Sequence, residues 1–204
     1  MGADRAIMSP VNMNPQSPVL IVGLGNPGEK YTNTRHNIGA RALEELASRA
    51  SGMPATFSVH KKSNAMIAET TLAGRKVVLA TPRSFMNLSG GPVKAVADFF
   101  KIPTDNIIVL FDDLELDFGV VKLRAPGVDK QATGNHGHNG LRSITKVLGK
   151  NYIRAGIGIG RPPGRMDVSS FVLKPFSKQE QADIPIMCAD IADEVERFLT
   201  TSAL

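Results

Sequence analysis

With 204 residues, 42% of them hydrophobic, the chain is long enough for one domain with a full core, and no apolar run approaches the length of a membrane span. Its one cysteine, Cys188, excludes an intrachain disulfide and lies in an apolar helical stretch, where it reads as packing rather than as a nucleophile. The net charge of +5 is modest but unevenly placed: residues 120–180 hold eleven Lys/Arg against three Asp/Glu, which points to a polyanion such as a phosphate backbone.

Residues 1–18, rich in Met, Asn, Pro and Ser, show no periodic pattern and read as a flexible N-terminal extension. With one arginine and no apolar core, they resemble neither a transit nor a secretory signal. The folded domain is expected over 19–204. An apolar strand ending at Val22 runs into Gly23-x-Gly25-x-x-Gly28, which matches a dinucleotide-binding fingerprint in form. The context fails, however. Pro27 fills the loop, Glu29 to Thr34 prolongs it, and the next periodic segment, Ile38 to Ala50, is a helix. Glu44 and Glu45 therefore lie where no strand end can offer them to a ribose.

Residues 53–74 suggest two strands, and Lys76 to Ala80 a buried third. Ser89 is placed to cap a helix carrying Val93, Val96, Ala97 and Phe100, ended by Pro103. Asn106 to Phe111 is the strongest central strand and leads straight into Asp112 and Asp113. Gly119 to Arg124 is a short strand, Asn139 to Leu148 a helix, and Tyr152 to Ile159 a further strand. Ser177 and Glu180 form a capping box for a helix to about Leu199, with Pro185 a kink or restart. The alternation predicts a single α/β domain with a mixed, largely parallel sheet between helices.

Sites in such sheets lie at the carboxyl ends of strands. Three strand ends here deliver polar groups: Asn26, the Phe85-Met86-Asn87 run, and Asp112-Asp113, while a glycine-rich turn adds His138 and Asn139. No serine sits in a nucleophile elbow. A histidine held by a carboxylate and surrounded by amides suits the activation of water instead, and His36, between glycine turn and helix start, is the placed candidate. Asn26, Asn87 and Asn139 each have a plainer reading as turn or cap residues. His138 beside Gly137 reads as support for its turn, and His60 as an exposed residue. His136-x-His138 near Asp112 and Asp113 is a weak metal pattern, and no metal or other cofactor is expected. Arg142, Lys146 and Lys150 fall four apart on one helix, a repulsion of about 0.2–0.5 kcal/mol per pair that a bound anion would relieve.

Four motifs, GLGNPGEKYTNTRHNIG at 23–39, SFMNLSG at 84–90, DDLELDFG at 112–119 and GHNGLRSI at 137–144, resemble bacterial-type peptidyl-tRNA hydrolase, in order and across nearly the whole domain. The resemblance implies a single α/β domain with a twisted mixed sheet, generally monomeric and without a metal. Its activity would be hydrolysis of the ester between peptide and the 3′ ribose of tRNA, recycling tRNA dropped by stalled ribosomes. It places His36 as the catalytic base, Asp112 as the carboxylate that orients it, and Asn26 as the residue distinguishing N-acylated from free aminoacyl-tRNA. Tyr31, Phe85, Asn87 and Asn139 match positions that contact peptide and terminal nucleotide. Lys122 and Arg124 match phosphate-gripping positions, to which the charge pattern adds Arg142 and Lys146.

The partner implied is peptidyl-tRNA, through its acceptor stem and 3′-CCA end, with no membrane. The expected compartment is the cytoplasm, an organelle being the other. Two departures stand out: a long loop over 125–137, and Gly156 where an arginine is common, with Arg154 two residues earlier on the same strand face as the substitute. The alternative function is a non-catalytic RNA-binding homologue such as an organellar splicing cofactor, against which intact His36, Asp112 and Asn87 speak.

Overall fold

The computed structural model describes residues 13–126 and 137–202. Among these residues the sheet has seven strands: β1 Val19–Gly23, β2 Ser58–His60, β3 Ala65–Leu72, β4 Arg75–Pro82, β5 Ile107–Asp113, β6 Val121–Arg124 and β7 Ile153–Gly158, in the spatial order β2-β3-β4-β1-β5-β7-β6. The four central strands, β4, β1, β5 and β7, are mutually parallel, and the flanking β2, β3 and β6 pair antiparallel. Every residue of β1 and β5 is buried, as expected of parallel strands covered on both faces. The mixed, largely parallel sheet is thus confirmed.

The six α-helices among the described residues are α1 Ile38–Ser48, α2 Gly90–Phe99, α3 Asn139–Leu148, α4 Val168–Val172, α5 Lys178–Gln181 and α6 Ile184–Thr201. Alternation along the strands sends Ile108 and Leu110 into one core with α1 and α6, and Val109 and Phe111 into another with α2 and α3. Cys188 is buried in the first, where burial pushes its thiol up to about 11 and keeps it inert.

Several local expectations shift. Ser89 does not cap α2; its hydroxyl donates to the Met86 carbonyl at 2.7 Å. The capping box of Ser177 and Glu180 is present but serves the four-residue α5, and Pro185 opens α6 as a fresh helix rather than kinking a long one. Within the described residues Met13 is buried, and Asn106 binds the backbone of Asn14, Ser17 and Pro18. Of the extension expected to be flexible, residues 1–12 lie outside the described residues.

The glycines after β1 serve packing. A Cβ on Gly39 would lie 2.3 Å from the Leu110 carbonyl oxygen, and one on Gly23 would lie 2.6 Å from that of Gly39. Without them the start of α1 could not rest against the ends of β1 and β5. The docking is completed by Ala40 N–H donating to Leu24 O at 3.0 Å and Leu24 N–H to Leu110 O at 3.1 Å. The dinucleotide reading has no place here, since α1 starts fifteen residues after Gly23 rather than at the third glycine.

Candidate active site

The close seat of α1 sets the 3-10 turn Arg35–Asn37 beside the end of β5. There His36 Nδ1 lies 3.0 Å from both oxygens of Asp112. A second histidine completes the group: His138 Nε2 is 2.8 Å from Asp112 Oδ1. All three side chains are buried. His138 is the N-cap of α3, and its Nδ1 accepts from the backbone N–H of Gly140 at 3.1 Å and of Leu141 at 3.3 Å. That nitrogen carries no proton, so the proton sits on Nε2 and donates to Asp112. Asp112 likewise draws the His36 proton to Nδ1, leaving Nε2 as a lone-pair base.

Burial favours neutral Asp112, but the two imidazoles beside it prevail and hold it well below the usual carboxylate range. Burial also works against a charged His36, yet the Asp112 charge and the hydrogen bond to it raise its pKa above 6.5. His36, Asp112 and His138 form a group with metal-ligand chemistry. Each ring nitrogen facing Asp112 carries a proton, so these three residues are satisfied by one another and present no shared set of lone pairs to an ion. His136 lies outside the described residues.

Beside this group is a cleft of about 520 Å³ that also takes in Asn26, Tyr31, Phe85, Asn87 and Asn139, so the structure brings together every substrate-contacting position expected from sequence. Tyr31 and Phe85 meet edge to face with centroids 6.3 Å apart. Asn26 is fixed on three sides: its backbone N–H donates to Asn37 Oδ1, its carbonyl accepts from Asn37 Nδ2, and its Oδ1 accepts from Met86 N–H at 2.8 Å. A backbone donor on Oδ1 settles the amide orientation, and Nδ2 keeps its hydrogens to donate elsewhere.

A further wall comes from α4, through Val168, Ser169 and Val172. It is tied to the His36 segment by a seam that pairs Thr34 with Pro175, with Arg35 N–H on Lys174 O and Phe176 N–H on Asn33 O. The buried Arg35 guanidinium donates to Pro175 O at 3.0 Å and Glu180 at 2.7 Å, and stacks on Phe171 at 4.3 Å. Burial favours protonated Glu180, but the Ser177 N–H and Arg35 prevail and lower its pKa. A depressed carboxylate stabilises the fold above its unfolded pKa, and that stability is lost as pH falls through the folded value. Glu180→Gln is therefore expected to cost about 1–2 kcal/mol at neutral pH, and the gap from wild type should close on acidification. Urea unfolding at neutral and acid pH measures both.

The cations expected to bind phosphate sit on two elements, the edge strand β6 and the helix α3. Lys122 and Arg124 share one face of β6, while Arg142 and Lys146 are exposed on α3. Arg124 reaches Asp113 Oδ2 at 2.6 Å. A Cβ on residue 156 would lie 2.8 Å from that same oxygen and 3.3 Å from the Arg124 guanidinium, so Gly156 leaves the room this ion pair occupies. Arg154 is not an exposed substitute; it is largely buried, with its guanidinium 5.0 Å from the centre of the Tyr152 ring. The 125–137 loop lies largely outside the described residues.

Sequence reasoning missed His138 as a member of the central group, Asn37 as the clamp on Asn26, and α4 as a wall. A histidine directly before a helix start was the one available signal, because a free ring nitrogen can cap.

The family model described as peptidyl-tRNA hydrolase matches residues 20–203. The peptidyl-tRNA hydrolase of Corynebacterium diphtheriae is 60% identical over 189 residues, covering 92% of this chain and 99% of that protein. Peptidyl-tRNA hydrolase 1 of Corynebacterium jeikeium is 63% identical over 182 residues, covering 88% and 90%. A crystal structure of a point mutant of the Acinetobacter baumannii peptidyl-tRNA hydrolase superposes with a TM-score of 0.81 at 33% identity, covering 91% of this chain and 90% of that one.

Proposed function

The chain belongs to the peptidyl-tRNA hydrolase family, and from that premise we propose that His36, held by Asp112, is the base of its reaction. The protein hydrolyses the ester joining a peptide to the 3′ ribose of tRNA. In the reading proposed, His36 Nε2 removes a proton from water as the water oxygen attacks the ester carbonyl carbon. Asp112 keeps the proton on Nδ1 and stabilises the imidazolium that forms. Asn87 and Asn139, both on the cleft, supply amide donors to the oxyanion. The tetrahedral intermediate then collapses, the C–O bond to the ribose breaks, and the imidazolium returns its proton to the departing 3′ oxygen. The carrying observation is the His36–Asp112 contact inside a cleft that also holds three asparagines.

Asn26 supplies selectivity in this reading. With Oδ1 spent on Met86, it offers N–H to the carbonyl of an N-acyl group, an acceptor that a free α-ammonium lacks. Asn26→Ala is expected to lower kcat/KM for N-acetyl-aminoacyl-tRNA about tenfold. Release of the acylated amino acid, compared with that from free aminoacyl-tRNA, tests the function and this role together. Equal rates on both substrates in wild type would refute the role of Asn26, and no release from either would refute the reaction.

The reading extends to the acceptor stem and 3′-CCA end of tRNA, gripped through Lys122, Arg124, Arg142 and Lys146, and to action as a monomer in the cytoplasm. Support for the first lies in the excess of Lys/Arg over residues 120–180, to which these four cations belong. Among the described residues no helix is long and apolar enough to cross a membrane. A non-catalytic RNA-binding role is not favoured, because the base and its carboxylate are both in place.

A further inference from the structure

We propose that a second cavity, sharing Asn26 with the catalytic cleft, receives the side chain of the peptide residue preceding the ester-linked one, a proposal that rests on the hydrolase reading and extends it. The cavity holds about 330 Å³, enough for a large aliphatic or aromatic side chain. Pro27, Ala40, Met66 and Pro82 give it apolar walls. Two of the polar groups around it are already engaged: Thr81 Oγ1 donates to Gly23 O at 2.9 Å, and the Asn37 amide is held by the Asn26 backbone, while Asn26 Nδ2 is the donor kept for the N-acyl carbonyl. The remaining surface has little to offer water and suits an apolar guest. Arg83, exposed to solvent, is the single charged residue lining it among the described residues.

The order of the sheet directs the substrate there. The basic β6 edge lies to one side of β5, whereas Met66, Thr81 and Pro82 belong to β3 and β4 on the other side. With tRNA on the basic side and the ester at His36, the peptide runs toward β4 and β3. Its N-acyl carbonyl meets Asn26 first, and the Cα bonded to that carbonyl lies about 3.8 Å from the Cα of the ester-linked residue. Asn26 lines both cavities, so the residue beyond it enters the second. The site therefore favours a large apolar side chain, and Arg83 favours an acidic one over a basic one.

The test measures kcat/KM of the full chain on N-acetyl-Xaa-alanyl-tRNA with Xaa as Leu, Gly, Glu or Lys. Wild type is expected to prefer Leu to Gly about tenfold and Glu to Lys a few-fold. Ala40→Leu fills the cavity and brings the Leu-to-Gly ratio near one, while Arg83→Glu, an exposed change, reverses the order of Glu and Lys. A wild-type Leu-to-Gly ratio within about twofold of one overturns the proposal, as do ratios that survive both substitutions. N-acetyl-alanyl-tRNA, which lacks the second side chain, separates the two readings. Its hydrolysis alongside flat ratios removes this site alone, and no hydrolysis of any substrate removes the catalytic reading and this site together.

Discussion

Asp112→Asn is expected to lower kcat by about 10²–10⁴-fold while the protein stays folded, because the change reassigns a proton. Asp112 accepts from two imidazoles, and an asparagine can accept with only one side-chain atom. His138 cannot adapt, since two backbone N–H groups of α3 hold its Nδ1 as an acceptor and leave its Nε2–H to claim the asparagine oxygen. The asparagine NH₂ then faces His36 Nδ1, which must give up its proton, so the ring takes the Nε2–H tautomer. That tautomer has no lone pair for water. Single-turnover hydrolysis of N-acetyl-aminoacyl-tRNA measures the loss, and a variant within about tenfold of wild type would refute the proton assignment.

Replacing His36 by Asn removes the base itself, and a similar loss of about 10²–10⁴-fold is expected. The second signature is the pH profile. In wild type the base must be neutral, and Asp112 raises its pKa above 6.5, so the rate should climb with pH through a midpoint above that value. Below the midpoint His36 carries a proton and cannot take another. In His36→Asn the residual rate should lose this acid limb. An unchanged acid limb would assign the titration to another group.

The fold was largely legible because its strongest signals are local. The apolar run ending in Asp112-Asp113 marks β5, and the pattern from Asn139 to Leu148 gives both ends of α3. What escaped depends on distant partners. His138 looks like a turn residue until the fold sets Asp112 beside it. With only five residues, α4 is too short for a helical period to show, so a wall of the cleft left no trace in the pattern. Ser89 carries the usual chemistry of a cap, but its hydroxyl satisfies the carbonyl of the preceding 3-10 turn instead. Gly156 was legible only as a gap, since the ion pair filling it spans Arg124 and Asp113 on two other strands.

The seam between Arg35 and the 174–180 segment has a bearing on protein synthesis. Arg35 and Pro175 are 140 positions apart, and the contacts between them cannot form until nearly the whole domain has left the ribosome. Every growing chain is itself a peptide esterified to tRNA, the bond this enzyme cuts. A cleft lined by Val168, Ser169 and Val172 is incomplete until that segment has been made.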